Sequence, residues 1–237
     1  MFDHYPEDLF NTKSADAVLP VLLKSIKPSS VVDVGCGNGS WLKSFVEHGV
    51  KDIFGIDGYY VKKNQLLIPE DKFLAADLTK PIDIERRFDL AISLEVAEHL
   101  PEEAADIFVD GLVKLSSSIL FSAAIPYQGG TEHINEQYTD YWISKFEARG
   151  YRTYDILRPK IWNNENIYFW YKQNILLFSK ESLKIESESG SIYTNIVHPL
   201  LYEAKAKTCR DYENGDQGIQ IALRSLFRAV MKKLAII

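Results

Sequence analysis

The stretch DVGCGNG at residues 33–39 is the feature that most restricts what this chain can fold into. It follows the short β-branched run SVV and precedes WLKSFVEHG, in which apolar residues recur at helical spacing. Glycines at a strand-to-helix junction permit a sharp turn and let the backbone approach a ligand, because no Cβ intervenes. The stretch therefore predicts a ligand-binding turn, although a tight turn that binds nothing has the same sequence.

Strands and helices alternate on either side of this loop. Short apolar runs at KDIFGID, KFLAADL, FDLAISL and SSSILFSAAIP are separated by polar or turn residues and by the helical pattern PEEAADIFVDGLVKL. This alternation predicts βαβ units and a mostly parallel sheet. The later segments YRTYDILR and YFWYKQNILLFS predict two more strands, close enough in sequence to favour an antiparallel pair.

Length and composition set the outer limits. A chain of 237 residues that is 46% hydrophobic and 25% charged suits one α/β domain with an appendage. The net charge of −6 argues against sequence-blind nucleic-acid binding, which needs many Lys and Arg side chains. Cys36 and Cys209 form no C-x-x-C pair, and we find neither a signal sequence nor an apolar run long enough to span a bilayer. We therefore expect a cytoplasmic protein.

An acidic residue at the end of the second predicted strand restricts the class of ligand that the glycine loop could bind. Asp57, in GIDG, follows the glycine loop by about 20 residues, where an acid can accept the hydroxyl groups of a ribose. It could also be a simple turn residue. The dinucleotide fingerprint G-x-G-x-x-G requires its third glycine one position later than Gly39, so a nicotinamide-dependent oxidoreductase is disfavoured.

Four motifs in order give the chain a family resemblance. VVDVGCGNGSWL closely resembles the first motif of class I S-adenosylmethionine-dependent methyltransferases, and GIDG, AADLTK and FDLAISLEVAEHL resemble the motifs that follow it. The resemblance implies a Rossmann-like α/β fold, with a seven-stranded, mostly parallel sheet, its last strand antiparallel, and helices on both faces. We place the methyltransferase domain at residues 1–180, followed by a linker and helical C-terminal extension at 181–237.

The resemblance also implies the cofactor, S-adenosyl-L-methionine, and the residues that bind it. Asp57 would accept the ribose hydroxyls, Asp77 would bond the adenine amine, and Leu78 would supply backbone and apolar contacts. The glycine loop would lie against the amino-acid part of the cofactor. The implied set is Asp33, Gly35, Gly37, Gly39, Asp57, Asp77, Leu78 and Glu95. Before the first strand, Tyr5 and Phe10 could fold over the bound cofactor.

The segment E-x-x-E-H after the fourth strand carries the catalytic candidates. If it forms one helical turn, Glu95, Glu98 and His99 project from one side, as carboxylate and imidazole ligands of a divalent ion would. The segment resembles the metal-binding part of ubiquinone-pathway O-methyltransferases and of small-RNA terminal 2′-O-methyltransferases. The latter add a later histidine, for which His133 is the counterpart.

These residues leave several roles open. Glu95, Glu98, His99 and His133 could hold a metal such as Mg²⁺. Alternatively, His133 acts as a general base without metal, or is a solvated loop residue, while Glu98 and His99 only organise the loop. We take His133, His99 and Glu95 as the catalytic candidates. The loop IPYQGGTEHINEQ, which holds His133, also contains Tyr127, Glu132 and Glu136.

The sequence favours a hydroxyl acceptor. The stretch SLEV at 93–96 replaces the [Asn/Asp]-Pro-Pro-aromatic motif of branches that methylate nitrogen in DNA bases or glutamine, so an O- or C-methylating branch is favoured. We expect a small-molecule acceptor, a sugar or surface-glycan precursor, since the chain loosely resembles methyltransferases of surface-polysaccharide pathways. Metal-dependent RNA 2′-O-methylation and a non-catalytic cofactor-binding module are the alternatives. Aromatic residues could line the acceptor pocket or pack the core: Trp142, Trp162, Tyr168, Phe169 and Trp170.

The tail at 217–234 has an amphipathic pattern. Arg224, Arg228 and Lys232 recur at four-residue spacing, opposite a row of apolar residues. Such a helix could pack on its own domain, form a homodimer contact, or lie on a membrane surface. We expect packing on its own domain or a homodimer contact to be more common for such a helix than membrane binding.

Overall fold

The computed structural model describes residues 11–183 and 194–234. Seven strands lie within them: β1 (Ser30–Val34), β2 (Asp52–Asp57), β3 (Phe73–Ala75), β4 (Leu90–Leu94), β5 (Ser118–Ser122), β6 (Arg152–Tyr154) and β7 (Leu176–Ser179). They form one sheet in the order β3-β2-β1-β4-β5-β7-β6. The chain reverses its direction of progress across the sheet between β3 and β4, so the crevice beside β1 is where a ligand is expected in an open α/β sheet.

The strand directions confirm the predicted fold. β1 pairs in parallel with β2 and β4, whereas β7 runs antiparallel to both β5 and β6. The pairing of Val34 with Ile56 aligns the carboxyl ends of β1 and β2. This register brings the glycine loop and Asp57 to the same edge of the sheet.

Helices cover both faces of the sheet, as predicted. They are α1 (Lys13–Leu22), α2 (Ser40–Glu47), α3 (Ala105–Leu115), α4 (Thr139–Glu147), α5 (Arg158–Ile161) and α6 (Phe169–Asn174). Successive residues of a strand point to opposite faces, so Val31 joins a buried cluster with α1 and α2, while Val32 joins a second cluster with α3 and α4. These two apolar layers hold the sheet between the helices.

Two aromatic segments differ from the sequence-based prediction. The stretch at 169–174, predicted as part of a strand, is helix α6, where Tyr171 packs edge-on against Trp41 with ring centroids 5.2 Å apart. Aromatic density favours strands as a local preference, and tertiary packing overrides it here. Trp142 is buried in the core, 5.3 Å from the ring of Phe121, and so cannot line an acceptor pocket.

The chain divides into two compact units, Met1–Ile196 and Val197–Ile237. The second contains the predicted helical extension, as α7 (Pro199–Asn214) and α8 (Ile219–Lys233). Tyr5 and Phe10, and most of the expected linker, lie outside the described residues. In the described part of the chain, no helix has the length and hydropathy needed to cross a membrane.

Candidate functional site

A cavity of about 1630 Å³ opens beyond the carboxyl ends of β1, β2 and β4. Its volume exceeds that of most small-molecule sites, so a cofactor and an acceptor could share it. Six of the eight predicted cofactor residues line it: Gly35, Gly37, Asp57, Asp77, Leu78 and Glu95. Asp33 and Gly39 do not line it.

The glycine loop turns sharply between β1 and α2. Gly35 has φ of +88°, and a Cβ added there would lie 2.3 Å from Cγ2 of Val96. Gly39, with φ of +83°, is the residue before α2, and its added Cβ would lie 3.0 Å from Ile68. Gly35 thus allows the segment after β4 to approach the loop, whereas Gly39 shapes the turn into the helix.

Asp57 ties the ends of two strands together at the cavity. Its carboxylate is buried and accepts hydrogen bonds from the backbone N–H of Gly37 and of Gly58, each at 2.6 Å. The hydroxyl of Tyr60 donates a third bond, at 2.5 Å. The neighbouring Asp33 is also buried, and its pKa is raised, first by burial and then by the charge of Asp57. Tyr60 was not among the predicted site residues.

Asp77 and Leu78 occupy one wall of the cavity. The carboxylate of Asp77 accepts hydrogen bonds from the hydroxyl and backbone N–H of Thr79, at 2.6 and 3.0 Å, and lies 3.1 Å from Nζ of Lys80. These contacts lower the pKa of Asp77 to about 2. Leu78 is buried beside it. The pair combines a charged acceptor with an apolar surface, which suits a flat heteroaromatic ring.

Glu95 follows β4 directly, with φ of +57°. Its backbone N–H donates to the carbonyl of Ser122 at 3.0 Å, and its carboxylate accepts from Nε2 of Gln128 at 3.0 Å and from Nδ2 of Asn174 at 3.1 Å. Burial raises its pKa, and the hydrogen bonds, that of Asn174 foremost, oppose this rise. A non-glycine residue in this backbone region is uncommon and is held here by its neighbours.

Two partners of Glu95, Gln128 and Asn174, form a buried amide cluster with Gln173. Oε1 of Gln128 accepts from Gln173 at 3.0 Å and from Asn174 at 2.9 Å. No sequence pattern indicates this cluster, because its members belong to a loop and a helix that meet only in the folded chain. Gln173 and Asn174, two buried amides at the end of α6, would have indicated a polar cluster only if the segment had been predicted as a helix.

Three of the four predicted metal ligands come together. Glu98, His99 and His133 each place one ligand atom within 4.8 Å of the others, and the two imidazole rings meet edge to face at 4.8 Å. Glu98 is fully buried, and among the described residues neither of its carboxylate oxygens accepts a hydrogen bond of ordinary geometry, although the backbone N–H groups of Glu98 and Ala124 lie close enough to lower its pKa slightly. Burial, and then the charge of Glu95, raise the pKa of Glu98 well above 4.5. Burial, and then His133, lower the pKa of His99.

Glu95 is not part of this group, and the predicted single helical turn from Glu95 to His99 is wrong. Only residues 97–99 form a turn, of 3₁₀ type, because the left-handed backbone at Glu95 redirects its side chain toward the amide cluster. The backbone carbonyl of Glu98 accepts from the N–H groups of Ile134 and Asn135, at 2.9 and 3.0 Å. This pairing holds the turn against the loop that carries His133.

Glu136 organises that loop. Its carboxylate accepts from the backbone N–H of Tyr127 and of Gly129, both at 2.8 Å, and lies 2.9 Å from Nδ1 of His133. A carboxylate at this distance assigns the proton of a neutral His133 to Nδ1. The other nitrogen, Nε2, keeps its lone pair for a proton or a metal.

Comparison with known proteins gives one family match. Residues 5–107 match the Methyltransf_23 family, described as a methyltransferase domain. No curated protein matches the chain in sequence.

Solved structures resemble the chain in fold. The methyltransferase domain of bacterial CtHen1 is 18% identical, with a TM-score of 0.54, and the match covers 72% of this chain and 98% of that one. The plantazolicin methyltransferase BpumL, in complex with SAH, is 16% identical, with a TM-score of 0.53 and coverage of 74% and 86%. Magnesium protoporphyrin IX methyltransferase from Synechocystis PCC 6803, with bound SAM, is 18% identical, with a TM-score of 0.52 and coverage of 72% and 79%. Residues 5–107 thus match a methyltransferase domain, and the whole sheet shares its fold with solved S-adenosylmethionine-dependent methyltransferases, to which the chain is similar.

Proposed function

We propose that this protein transfers the methyl group of S-adenosylmethionine to a hydroxyl group of a small molecule in the cytoplasm, a sugar or surface-glycan precursor. The observation that carries the proposal is the group formed by Glu98, His99 and His133 beside the cofactor cavity. A hydroxyl must lose its proton as the methyl group is transferred, and this requires a base or a Lewis acid. The group offers both kinds of assistance.

The cofactor would be positioned by residues of the cavity wall. Asp57 would accept the ribose hydroxyls, and Asp77 with Leu78 would hold the adenine ring. Gly35 and Gly37 would leave room for the amino-acid part, near the carboxylate of Glu95. Because the sulfonium already carries the reactive carbon, the protein's contribution is alignment and removal of a proton.

The three residues fit a divalent cation. A buried carboxylate without a well-formed hydrogen bond is costly unless a charge compensates it, and the lowered pKa of His99 favours the neutral imidazole, the form that can coordinate. Two nitrogen donors and one oxygen donor suit Mn²⁺, Co²⁺ or Zn²⁺ better than Mg²⁺, which prefers oxygen ligands. When bound, such an ion supplies Lewis acidity that lowers the pKa of the acceptor hydroxyl.

Without a metal, the same geometry supports His133 as the base. Glu136 holds its Nδ1 proton, so Nε2 is free to receive the proton of the acceptor. The carboxylate of Glu136 would then stabilise the imidazolium that forms. The two mechanisms differ in their need for Glu98, which contributes a ligand in the first and only loop structure in the second.

An acceptor panel tests the proposal. The panel contains simple sugars, nucleotide sugars, catechols, amines and a short RNA with a free 3′ end, and release of S-adenosylhomocysteine is measured with and without EDTA. We expect turnover with a hydroxyl acceptor, a loss in EDTA and recovery with Mn²⁺. Glu98→Gln should reproduce the loss, whereas Glu103→Gln, an exposed acid nearby, should not.

Each contrary result has a defined meaning. Full activity in EDTA together with loss in His133→Ala supports the metal-free base, and no loss in His133→Ala excludes that base. Turnover with RNA alone would support 2′-O-methylation of RNA, which the Glu98–His99–His133 group also suits but the acidic chain does not favour. Cofactor binding without turnover on any acceptor would support a non-catalytic module.

A further inference from the structure

Helix α8 presents an exposed apolar face. Its large apolar side chains are between about two-fifths and four-fifths exposed: Ile219, Ile221, Leu223, Leu226, Phe227 and Val230, followed by Leu234. All but Ile221 fall within an arc of roughly 100° at the helical repeat of about 100° per residue. A continuous exposed patch of this kind on a soluble chain marks an interaction site.

The opposite face of α8 is basic. Arg224, Arg228 and Lys232 recur every four residues and therefore share one side, and Lys233 lies at the edge of the apolar arc. The helix contains no aspartate or glutamate. It is thus a strongly cationic segment within a chain whose net charge is −6.

The charges on α8 distinguish between two possible binding partners for its apolar face, a second copy of the helix and a lipid surface. A second copy of α8 would add four more cations and no acids, so the like charges of the two helices would repel. An anionic lipid surface offers both complements at once, since acyl chains receive the apolar face and phosphate headgroups receive the cations. The long stem of Lys233 allows its ammonium to reach the headgroups from the edge of the apolar arc.

The length of α8 fits an interfacial position. Its 15 residues span about 22 Å along the axis, too short for a bilayer core of about 30 Å. A helix with separate apolar and basic faces lies parallel to the surface, with its apolar side at the boundary between headgroups and acyl chains. We propose that α8 is an interfacial helix that binds this methyltransferase to anionic lipid membranes.

Vesicle flotation of the full-length protein tests the proposal. The probes are vesicles of phosphatidylcholine alone and of phosphatidylcholine with about one-third phosphatidylglycerol. We expect flotation with the anionic vesicles, little with the neutral ones, and a steep loss at high salt. Binding should weaken about tenfold or more in Leu226→Gln/Phe227→Gln, because two exposed apolar side chains leave the interface.

A matched variant and a charge variant sharpen the result. Ile221→Gln makes the same chemical change on the basic face and should leave binding nearly unchanged. Each change of Arg224 or Arg228 to Gln should weaken binding about fivefold, and only toward anionic vesicles. Since these side chains are exposed in α8, the variants should keep the circular dichroism spectrum and cofactor affinity of the wild type.

Other outcomes would overturn the proposal. If the protein floats with neither kind of vesicle, or equally with both, α8 is not an anionic-lipid helix. If light scattering gives a dimer that Leu226→Gln/Phe227→Gln dissociates, and no vesicles bind, the apolar face is occupied by a second copy of the chain. Equal binding by Ile221→Gln and Leu226→Gln/Phe227→Gln would exclude the assigned apolar face.

Discussion

The hydroxyl of Tyr60 donates a 2.5 Å hydrogen bond to Oδ1 of Asp57, the carboxylate expected to receive the ribose hydroxyls of the cofactor. Both residues line the same cavity, and a Cβ added at Gly58 would lie only 2.2 Å from the Tyr60 ring. A ribose hydroxyl that donated to Oδ1 of Asp57 would compete with Tyr60 for this oxygen. On the proposed binding mode, the cofactor would displace the Tyr60 hydroxyl or move it to another acceptor.

We expect Tyr60→Phe to bind S-adenosylmethionine about fivefold more tightly than the wild type. The substitution removes a competing hydrogen bond worth about 1 kcal/mol while keeping the ring over Gly58. Isothermal titration calorimetry measures the change, and Tyr59→Phe, an equally exposed neighbour, is the control. Weaker binding in Tyr60→Phe would mean that the hydroxyl contacts the cofactor instead of competing with it.

A second prediction concerns the close approach of Val96 to Gly35. Gly35→Ala should destabilise the fold more than Gly150→Ala, although both glycines have positive φ, of +88° and +81°. Each substitution carries a backbone cost of about 1 kcal/mol, but only the Cβ at position 35 overlaps another side chain. Urea unfolding measures the difference. Combining Val96→Ala with Gly35→Ala should recover part of the lost free energy of unfolding, because the smaller side chain makes room for the Cβ. Equal losses of stability in Gly35→Ala and Gly150→Ala would show that contact with Val96 is not the cause.

The buried carboxylate of Glu98 predicts a pH dependence of stability. Its pKa is raised, so the folded protein binds this proton more readily than the unfolded chain, and the stability from this group is full below pH 4.5 and declines as the pH rises. In EDTA, Glu98→Gln should therefore be more stable than the wild type at pH 8, by about 1–3 kcal/mol, with a smaller gain at pH 5. Urea unfolding at the two pH values tests this.

The exposed Glu103→Gln is the control and should change stability little at either pH. A Glu98→Gln gain that is as large at pH 5 as at pH 8 would show that the carboxyl group does not titrate between these values. Adding Mn²⁺ should reverse the order at pH 8, because the wild type gains a ligand that the glutamine variant binds weakly.

A fourth prediction follows from the bond between His133 and Glu136. Glu136→Gln should lower the turnover rate about 10- to 100-fold, because the Nδ1 proton of His133 loses its carboxylate partner. The amide introduced by Glu136→Gln has only one oxygen, so it cannot accept from the backbone N–H groups of both Tyr127 and Gly129 with separate oxygens, as the carboxylate does. The exposed Glu132, in the same loop, supplies the control Glu132→Gln. Unchanged turnover in Glu136→Gln would show that the bond between Glu136 and His133 contributes to neither proposed mechanism.

The sequence predicted correctly those elements whose structure depends on the pattern of apolar, polar and glycine residues close together in the chain. The glycine loop, Asp57 at the end of β2 and the antiparallel position of β7 follow from short periodic segments whose order restricts the topology. Helix α6 was mispredicted because its aromatic residues favour strands locally, while its packing depends on Trp41, far away in sequence.

The prediction of the candidate site was limited by backbone conformation and distant contacts. Spacing alone placed Glu95 with Glu98 and His99, but the positive φ of Glu95 turns its carboxylate toward Gln128 and Asn174. Asn174 is 79 residues away in sequence, and no local pattern signals such a contact. By contrast, His133 reaches the predicted group through a loop whose course is fixed by the pairing of Glu98 with residues 134–135.

Calorimetric titration with S-adenosylmethionine tests whether the cavity beside Asp57 binds this cofactor. We predict saturable one-to-one binding by the wild type, weakened about 30-fold or more in Asp57→Ala, and unchanged in Asp52→Ala, at the other end of the same strand. Absence of binding by the folded wild type, or equal affinity in Asp57→Ala, would show that this cavity is not the cofactor site.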